Sequence, residues 1–306
     1  MAMVVVAGGV NVDIGARCAE KLRMKDSNPG CVRTHLGGVG RNIAHNLALL
    51  GVETELMTAL GGDEHAKSVR AACAAQGIGL AHALRVPEGR TSTYVYISDA
   101  QGDMAVAVSD MAICERLTPD YFAENLALLN AAALVVADTN LPEASLAYLA
   151  GHLRVPLFID PVSVAKAEKL AGLLPSIHTL KPNAAEAELL SGVPVVDRNS
   201  ARRAARRLID LGVKRVFLSL GKEGFLAAAE DETVWQPAPE AQVVSTTGAG
   251  DALMAAIAWA YLRGENLTRT AALGAAAAAI TIECAETISP DLGAEAVLAR
   301  AETEYA

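Results

Sequence analysis

Aromatic residues are scarce in this 306-residue chain: they make up 4%, with two Trp, four Phe and six Tyr. A stacking platform for single-stranded nucleic acid asks for more. Basic residues are in deficit as well. The 26 Lys and Arg against 35 Asp and Glu leave a formal net charge of −9, so neither a nucleic-acid polymer nor an anionic membrane is broadly attracted. An anionic ligand needs a local pocket. The five cysteines, at 18, 31, 73, 114 and 284, are odd in number and never spaced as CxxC, which argues against a disulfide framework and a zinc site. The six histidines show no HExxH or similar ligand spacing, and no G-x-S-x-G elbow is present, so metal-hydrolase and serine-hydrolase readings are weak. Long apolar runs are missing too. Mean hydropathy is +0.28, but stretches such as 271–282 are Ala-rich and much shorter than the roughly 20 residues that span a bilayer. The N-terminal residues run into valines without a basic leader or cleavage site, so the expected location is the cytoplasm.

What is present has a globular balance, 52% hydrophobic against 20% charged, in a length that suits one large α/β domain or a main domain carrying a smaller one. A valine strand at 4–7 ends at Gly8-Gly9. Ile43, Leu47 and Leu50 share a helical stripe closed by Gly51, and a strand is predicted at 54–60. Further buried strands are predicted at 133–137, 157–160, 178–181 and 215–219, with helices between them such as 142–153 and 200–211. Strands alternating with helices imply a mainly parallel sheet covered on both faces. Two excursions break the rhythm. Residues 16–36 and 91–110, the latter with a strand–turn–strand pattern around Asp99-Ala-Gln-Gly-Asp103, are expected to form a small antiparallel β-lid. The core then comprises 1–15, 37–90 and 111–306.

The most informative stretch is Ser245-Thr-Thr-Gly-Ala-Gly-Asp251, followed by an Ala-rich helix. Glycines just before a helix let backbone N–H groups point outward at its positive end and cradle phosphate oxygens. Asp251 in the first turn could take a proton from a hydroxyl held beside those amides, which suits phosphoryl transfer. Alternatively, Thr247 caps the helix and Asp251 only complements its dipole. No Walker A loop is present, because Val216 stands where Gly221-Lys222 would need its earlier glycine, and no dinucleotide fingerprint, because Gly248-x-Gly250 and Gly38-x-Gly40 lack the third glycine. Gly37-Gly38 and Asn42 open the first long helix, and Asn11 and Asp13 follow the first strand. These groups suit a polyol, or are ordinary hinges and turn residues. Asn183 and Glu186 are spaced as a capping pair, or as an amide and a carboxylate beside a hydrated Mg²⁺ and nucleotide phosphates. Ser219, Gly221 and Gly224 form a tight turn that could face a nucleotide.

Gly37-Gly38 with Asn42, and Thr247-Gly-Ala-Gly-Asp251, resemble the two signatures of the ribokinase-like PfkB carbohydrate and nucleoside kinases over essentially the whole chain. Within that family, Lys25-Asp-Ser-Asn-Pro-Gly30, Ser109-Asp-Met111, Asp160-Pro-Val-Ser163, Thr179-Leu-Lys-Pro-Asn183 and Ser289-Pro-Asp-Leu292 look most like the pseudouridine-kinase branch. The resemblance implies an α/β, three-layer αβα sandwich with a mainly parallel sheet and a β-lid. It also implies an ATP-dependent, Mg²⁺-assisted phosphotransferase acting on a nucleoside 5′-hydroxyl. Asp251 would be the base and Gly248, Ala249 and Gly250 the anion hole. Asn11, Asp13, Gly38 and Asn42 would surround the ribose, Asn183 and Glu186 would lie near Mg²⁺–ATP, and Ser219, Gly221 and Gly224 would follow the nucleotide; the lid residues Thr93 and Asp110 are the expected contacts to the base edge. A homodimer through the lid is implied as well. Ser245 stands where ribokinase-like relatives commonly carry an Asp in a loop that helps bind a monovalent cation, so a potassium requirement is not carried over. A kinase for another nucleoside, ribose or a sugar phosphate stays open, as does a non-catalytic nucleoside-binding regulator.

Overall fold

The computed structural model describes residues 2–238 and 240–304; residues 1, 239, 305 and 306 of the expected core ranges lie outside them. Short runs of Val, Leu, Ile and Ala such as Val4–Ala7, Leu134–Asp138 and Leu157–Asp160 are buried on both faces, as the interior of a parallel sheet requires. Eight strands lie side by side in the order Thr233–Gln236, Phe225–Ala228, Arg215–Ser219, Thr179–Leu180, Leu157–Asp160, Leu134–Asp138, Val4–Ala7 and Thr54–Met57. From Arg215–Ser219 to Thr54–Met57 all neighbours are parallel, and the first two strands join antiparallel. Residues 220–224 are too few for a helical crossover, so the chain turns straight back there. Alternate side chains serve opposite layers. Val4 and Val6 pack with helices Val39–Leu49, Ala249–Leu262, Leu267–Ile282 and Ala294–Glu304, whereas Val5 and Ala7 pack with Glu143–His152, Ala184–Ser191 and Arg198–Asp210. The result is a three-layer αβα sandwich.

The expected strands at 157–160 and 215–219 form as read. That at 133–137 moves one residue to Leu134–Asp138, and that at 178–181 shrinks to Thr179–Leu180. The strand expected at 54–60 breaks after Met57, because Ala59–Leu60 leaves the main sheet to pair with Leu84–Arg85. Among the described residues no helix is long and apolar enough to cross a membrane.

A second sheet forms the lid, in the order Gly30–Gly37, Asn11–Cys18, Thr93–Ser98, Met104–Asp110. It is mixed rather than antiparallel, since Asn11–Cys18 and Thr93–Ser98 run parallel. The chain crosses the core between these two strands and re-enters the lid in the same direction. The boundary expected after residue 15 therefore falls inside a strand, and Asn11 and Asp13 belong to the lid sheet. Register divides its side chains into two sets. Asp13, His35, Tyr94 and Tyr96 share one face, while Val12, Thr93, Val95, Val108 and Asp110 share the other.

Candidate active site

Two helices begin at the carboxyl ends of the sheet strands, and their first turns meet. Ala249–Leu262 is preceded by Gly248 in the left-handed conformation (φ 85°), with no side-chain cap. Thr247 is thus not the cap; its own amide donates to Ser245 Oγ at 3.2 Å. The first intrahelical bond runs from Ala252 N–H to Gly248 O, so the amides of 249–251 have no intrahelical partner. A helix end with outward-pointing, unpaired amides is of the kind that can receive an anion. Glycine is required at 248 for a second reason: a Cβ there would lie 1.8 Å from Thr287 O.

Asp251, in that first turn, is 9% exposed. Its Oδ2 accepts a hydrogen bond from Asn42 Nδ2 at 2.8 Å, and among the described residues nothing donates to Oδ1. Burial, reinforced by the Asp160 charge, pushes its carboxyl up to about 7, while Asn42 and Lys181 pull it down and Asp138 raises it further. A carboxylate poised near neutrality is what a general base needs. Dipole complementation alone would leave it on the surface.

Asn42 lies in the first turn of Val39–Leu49, whose N-cap is Gly38 (φ 96°). A Cβ at Gly38 would stand 2.5 Å from Gly9 O, so only glycine lets the helix start against the first βα turn. Asp138, at the end of Leu134–Asp138, pins both segments by accepting from Gly9 N–H at 2.9 Å and Gly40 N–H at 2.8 Å. Asn11 Nδ2 donates to Asp13 Oδ1 at 2.5 Å. Burial raises the Asp13 carboxyl above its ordinary value, against the pull of Asn11, His35 and Arg41.

On the far side of Asp251 stands a buried ion pair, Lys181 Nζ to Asp160 Oδ2 at 3.1 Å. Burial opposes the lysine charge, yet Asp160, helped by Asp251 and Glu186, leaves its pKa above the ordinary value. A Cβ on Gly250 would come within 3.3 Å of Lys181 Nζ, which places the ammonium against the helix tip. Next to it Asn183 and Glu186 form a complete capping box: Asn183 Oδ1 accepts from Glu186 N–H at 3.0 Å, and Glu186 Oε2 accepts from Asn183 N–H at 2.9 Å. Asn183 bridges to Ser219, so the turn through Gly221 and Gly224 adjoins this box. Gly224 (φ 100°) lies where a Cβ would be 2.1 Å from Gln236 O. Among the described residues no group of three or more His, Cys, Asp or Glu could hold a metal. A Mg²⁺ ion here would keep mostly water and phosphate ligands, an arrangement a single carboxylate such as Glu186 fits.

A cleft of about 840 Å³ opens between the lid and the helix tip, with Asp13, Arg33, Arg41, Tyr94, Tyr96 and Thr247 in its walls. Asp251 lies behind that wall, linked to it through Asn42 and Arg41. Thr93 and Asp110 are not in it. They face a smaller cavity with Asp63, His65 and Arg90, because alternation along the strand turns them away when Tyr94 and Tyr96 turn in. The structure thus brings Asn11, Asp13, Gly38, Asn42 and 248–251 together, sets Asn183, Glu186, Ser219, Gly221 and Gly224 beside Lys181, and leaves Thr93 and Asp110 apart. Asp138, Asp160, Lys181 and Arg41 were given no site role from the sequence, although Asp160 and Lys181 stand in segments that carry the family resemblance. The first two had a usable signal, as acidic residues closing buried parallel strands.

Comparison with known proteins gives the family. The model of the pfkB family of carbohydrate kinases matches residues 1–292. The Escherichia coli (strain K12) pseudouridine kinase is 36% identical over 301 residues, covering 98% of this chain and 96% of that protein. A carbohydrate kinase from Agrobacterium tumefaciens superposes with a TM-score of 0.89 at 29% identity, over 100% of this chain and 98% of the other. Arabidopsis thaliana ribokinase, complexed with ribose and ATP, gives a TM-score of 0.87 at 25% identity over 98% and 99% of the two chains. With its ribokinase-like α/β fold and both signature segments meeting at Asp251, this chain belongs to the pfkB family of carbohydrate kinases.

Proposed function

We propose that the protein transfers the γ-phosphoryl group of ATP to the 5′-hydroxyl of pseudouridine, giving pseudouridine 5′-phosphate and ADP. The observation that carries this reading is the contact between Asn42 and Asp251, which leaves one carboxylate oxygen free beside unpartnered amides at a helix tip. The ribose lies between Asp13 and Asn42, with Asn11 orienting Asp13 and Gly38 allowing close approach. The 5′-hydroxyl donates its proton to Asp251 Oδ1 as its oxygen bonds to the γ-phosphorus, and the bond to the ADP oxygen breaks. The amides of 249 and 250 face the charge on the transferred group. Asn183 and Glu186 would hold a hydrated Mg²⁺, which would supply further neutralisation of the phosphates, and the adenine nucleotide would follow Ser219, Gly221 and Gly224. Tyr94 and Tyr96, whose rings lie 5.8 Å apart on the cleft face, take over the base-reading part expected of Thr93 and Asp110. The likeness to the E. coli pseudouridine kinase supports the choice of nucleoside.

A coupled assay with ATP–Mg²⁺ across pseudouridine, uridine, adenosine, ribose and fructose 6-phosphate tests the assignment. Pseudouridine is expected to have the highest kcat/KM, since its C-linked uracil offers a ring N–H that uridine lacks and a buried polar reader can use. Preference for another compound removes the narrow assignment. No ATP consumption with any of them favours a nucleoside-binding regulator.

The lid face turned away from the cleft carries Val32 (66% exposed), Val95, Val106 and Val108 (65% exposed) in one register-matched patch. Apolar surface gathered in this way suits burial against a second copy of the same sheet. Sedimentation equilibrium is expected to show a dimer, and Val95→Glu with Val108→Glu to shift it to monomer. A wild-type monomer at assay concentrations would rule the lid dimer out.

A further inference from the structure

Arg41 is charged, 6% exposed and in the wall of the cleft, and nothing in the phosphoryl-transfer scheme uses it. Its Nη2 donates at 2.6 Å to Leu36 O and at 2.6 Å to Asn42 Oδ1, and Nη1 lies 3.5 Å from His45 Nδ1. Among the described residues its Nε has no hydrogen-bond partner. Resting on the reading of Asp251 as base, we propose that Arg41 is a positioning residue: it locks the Asn42 side chain so that its amide nitrogen always faces Asp251, holding one carboxylate oxygen and leaving the other to the substrate hydroxyl.

The reason lies in donor and acceptor inventory. A guanidinium has only donors, so Asn42 must turn its oxygen toward it. The opposite end of the same amide, Nδ2, then reaches Asp251 Oδ2 at 2.8 Å. An ionised carboxylate has only acceptors, so the chain from Arg41 through Asn42 to Asp251 runs in one direction. An Asn side chain flips between two nearly isosteric states, and its neighbours decide which is occupied. Without Arg41, the flipped state sets the Asn42 oxygen against the carboxylate, and only a protonated Asp251 accepts that arrangement. The groups facing Asp251 are Asn42 and Arg41 from the first helix, Lys181 and Asp160 from neighbouring strand ends, and Asp138 from the next strand. Lys181 is tied to Asp160 at 3.1 Å and does not replace Arg41. Those facing Arg41 are Asp251, Asp13 and Cys73, with His45 beside it.

The test compares pH profiles of wild type, Asp251→Asn, Arg41→Ala, Arg41→Lys and Arg41→Gln, together with a ¹³C-carboxyl titration of Asp251 in the free proteins. Wild type is expected to lose kcat as pH falls through about 7. In Arg41→Ala that acid limb and the Asp251 titration should both move up by about one pH unit, with kcat down on the order of tenfold at pH 7 and largely restored at pH 9. Arg41→Lys and Arg41→Gln, each keeping a donor, should fall between, and they carry the test if Arg41→Ala does not fold. A merely structural Arg41 would lower stability or raise KM and leave the limb in place; that result overturns the proposal. A wild-type limb that survives in Asp251→Asn overturns the base reading instead, so the two failures are told apart.

Discussion

Asp251→Asn is expected to turn over at least about a hundredfold more slowly than wild type while folding normally and binding nucleoside with little change. The amide is nearly isosteric, and its oxygen can still accept from Asn42 Nδ2, so the contact between the two helix starts survives. What is lost is proton acceptance, which an amide cannot provide. Turnover within a fewfold of wild type would remove Asp251 from the chemistry. The same variant is expected to be more stable than wild type at alkaline pH. Burial first, and the neighbouring Asp160 charge second, raise the wild-type carboxyl from an ordinary 3.8 to about 7 in the folded protein. Between those values the unfolded chain releases a proton that the folded protein keeps, so wild-type stability falls as pH rises from about 4 to 7 and then levels. At about 1.4 kcal/mol per pH unit, the asparagine variant should gain a few kcal/mol by pH 8 and nothing below pH 4. Urea unfolding at pH 4, 6 and 8 reads this directly. A stability difference independent of pH would mean that Asp251 does not titrate differently in the two states.

The legible parts of the fold were those where local pattern and tertiary role agree. Leu157–Asp160 and Arg215–Ser219 read correctly because a short β-branched and aromatic run buried on both faces leaves the chain few other options. The break after Met57 was hidden, since the buried run continues through Thr58, Ala59 and Leu60 and only the distant partner Leu84–Arg85 draws the chain away. The lid was visible as strands, but its parallel central pair was not, because direction depends on how the chain returns and not on composition. Near the site, the start of the helix at 249 was legible because a left-handed residue before a buried helix leaves a trace in residue type. The sequence places Thr93 in a lid strand but does not fix its register, and a shift of one residue reverses the face. Lys181 and Asp160 were given no site role for a different reason. A buried ion pair joining the ends of two consecutive parallel strands carries no spacing signal, because the connection between the strands has no set length, although both residues sit at strand ends where ligands of such sheets bind.

Gly248→Ala should cost both catalysis and stability, and the contrast with Gly250→Ala shows why the first glycine is the stricter. Gly248 holds φ 85°, which costs an L-residue roughly 1–2 kcal/mol. Its added Cβ would also meet Thr287 O at 1.8 Å and Thr287 C at 2.8 Å, and backbone cannot rotate aside as a side chain can. Thr287 and its neighbour Glu286 line the cleft, so any shift that relieves the clash moves the cleft edge and the helix tip together. Displacing amides aimed at a transferring phosphoryl by even about 1 Å costs on the order of a hundredfold in kcat. A fall of that size is expected, with unfolding easier by about 2–4 kcal/mol. At Gly250 a Cβ meets only the end of Lys181, at 3.3 Å, and the backbone needs no left-handed turn. Gly250→Ala should therefore unfold close to wild type, yet turn over slowly, since the methyl crowds the space between Lys181 and an incoming phosphate. Stability measured beside single-turnover rates separates the two. If Gly248→Ala kept wild-type turnover, the helix tip would not be where the phosphoryl group is received; if Gly250→Ala lost as much stability as Gly248→Ala, the clash with Thr287 would not explain why glycine stands at 248.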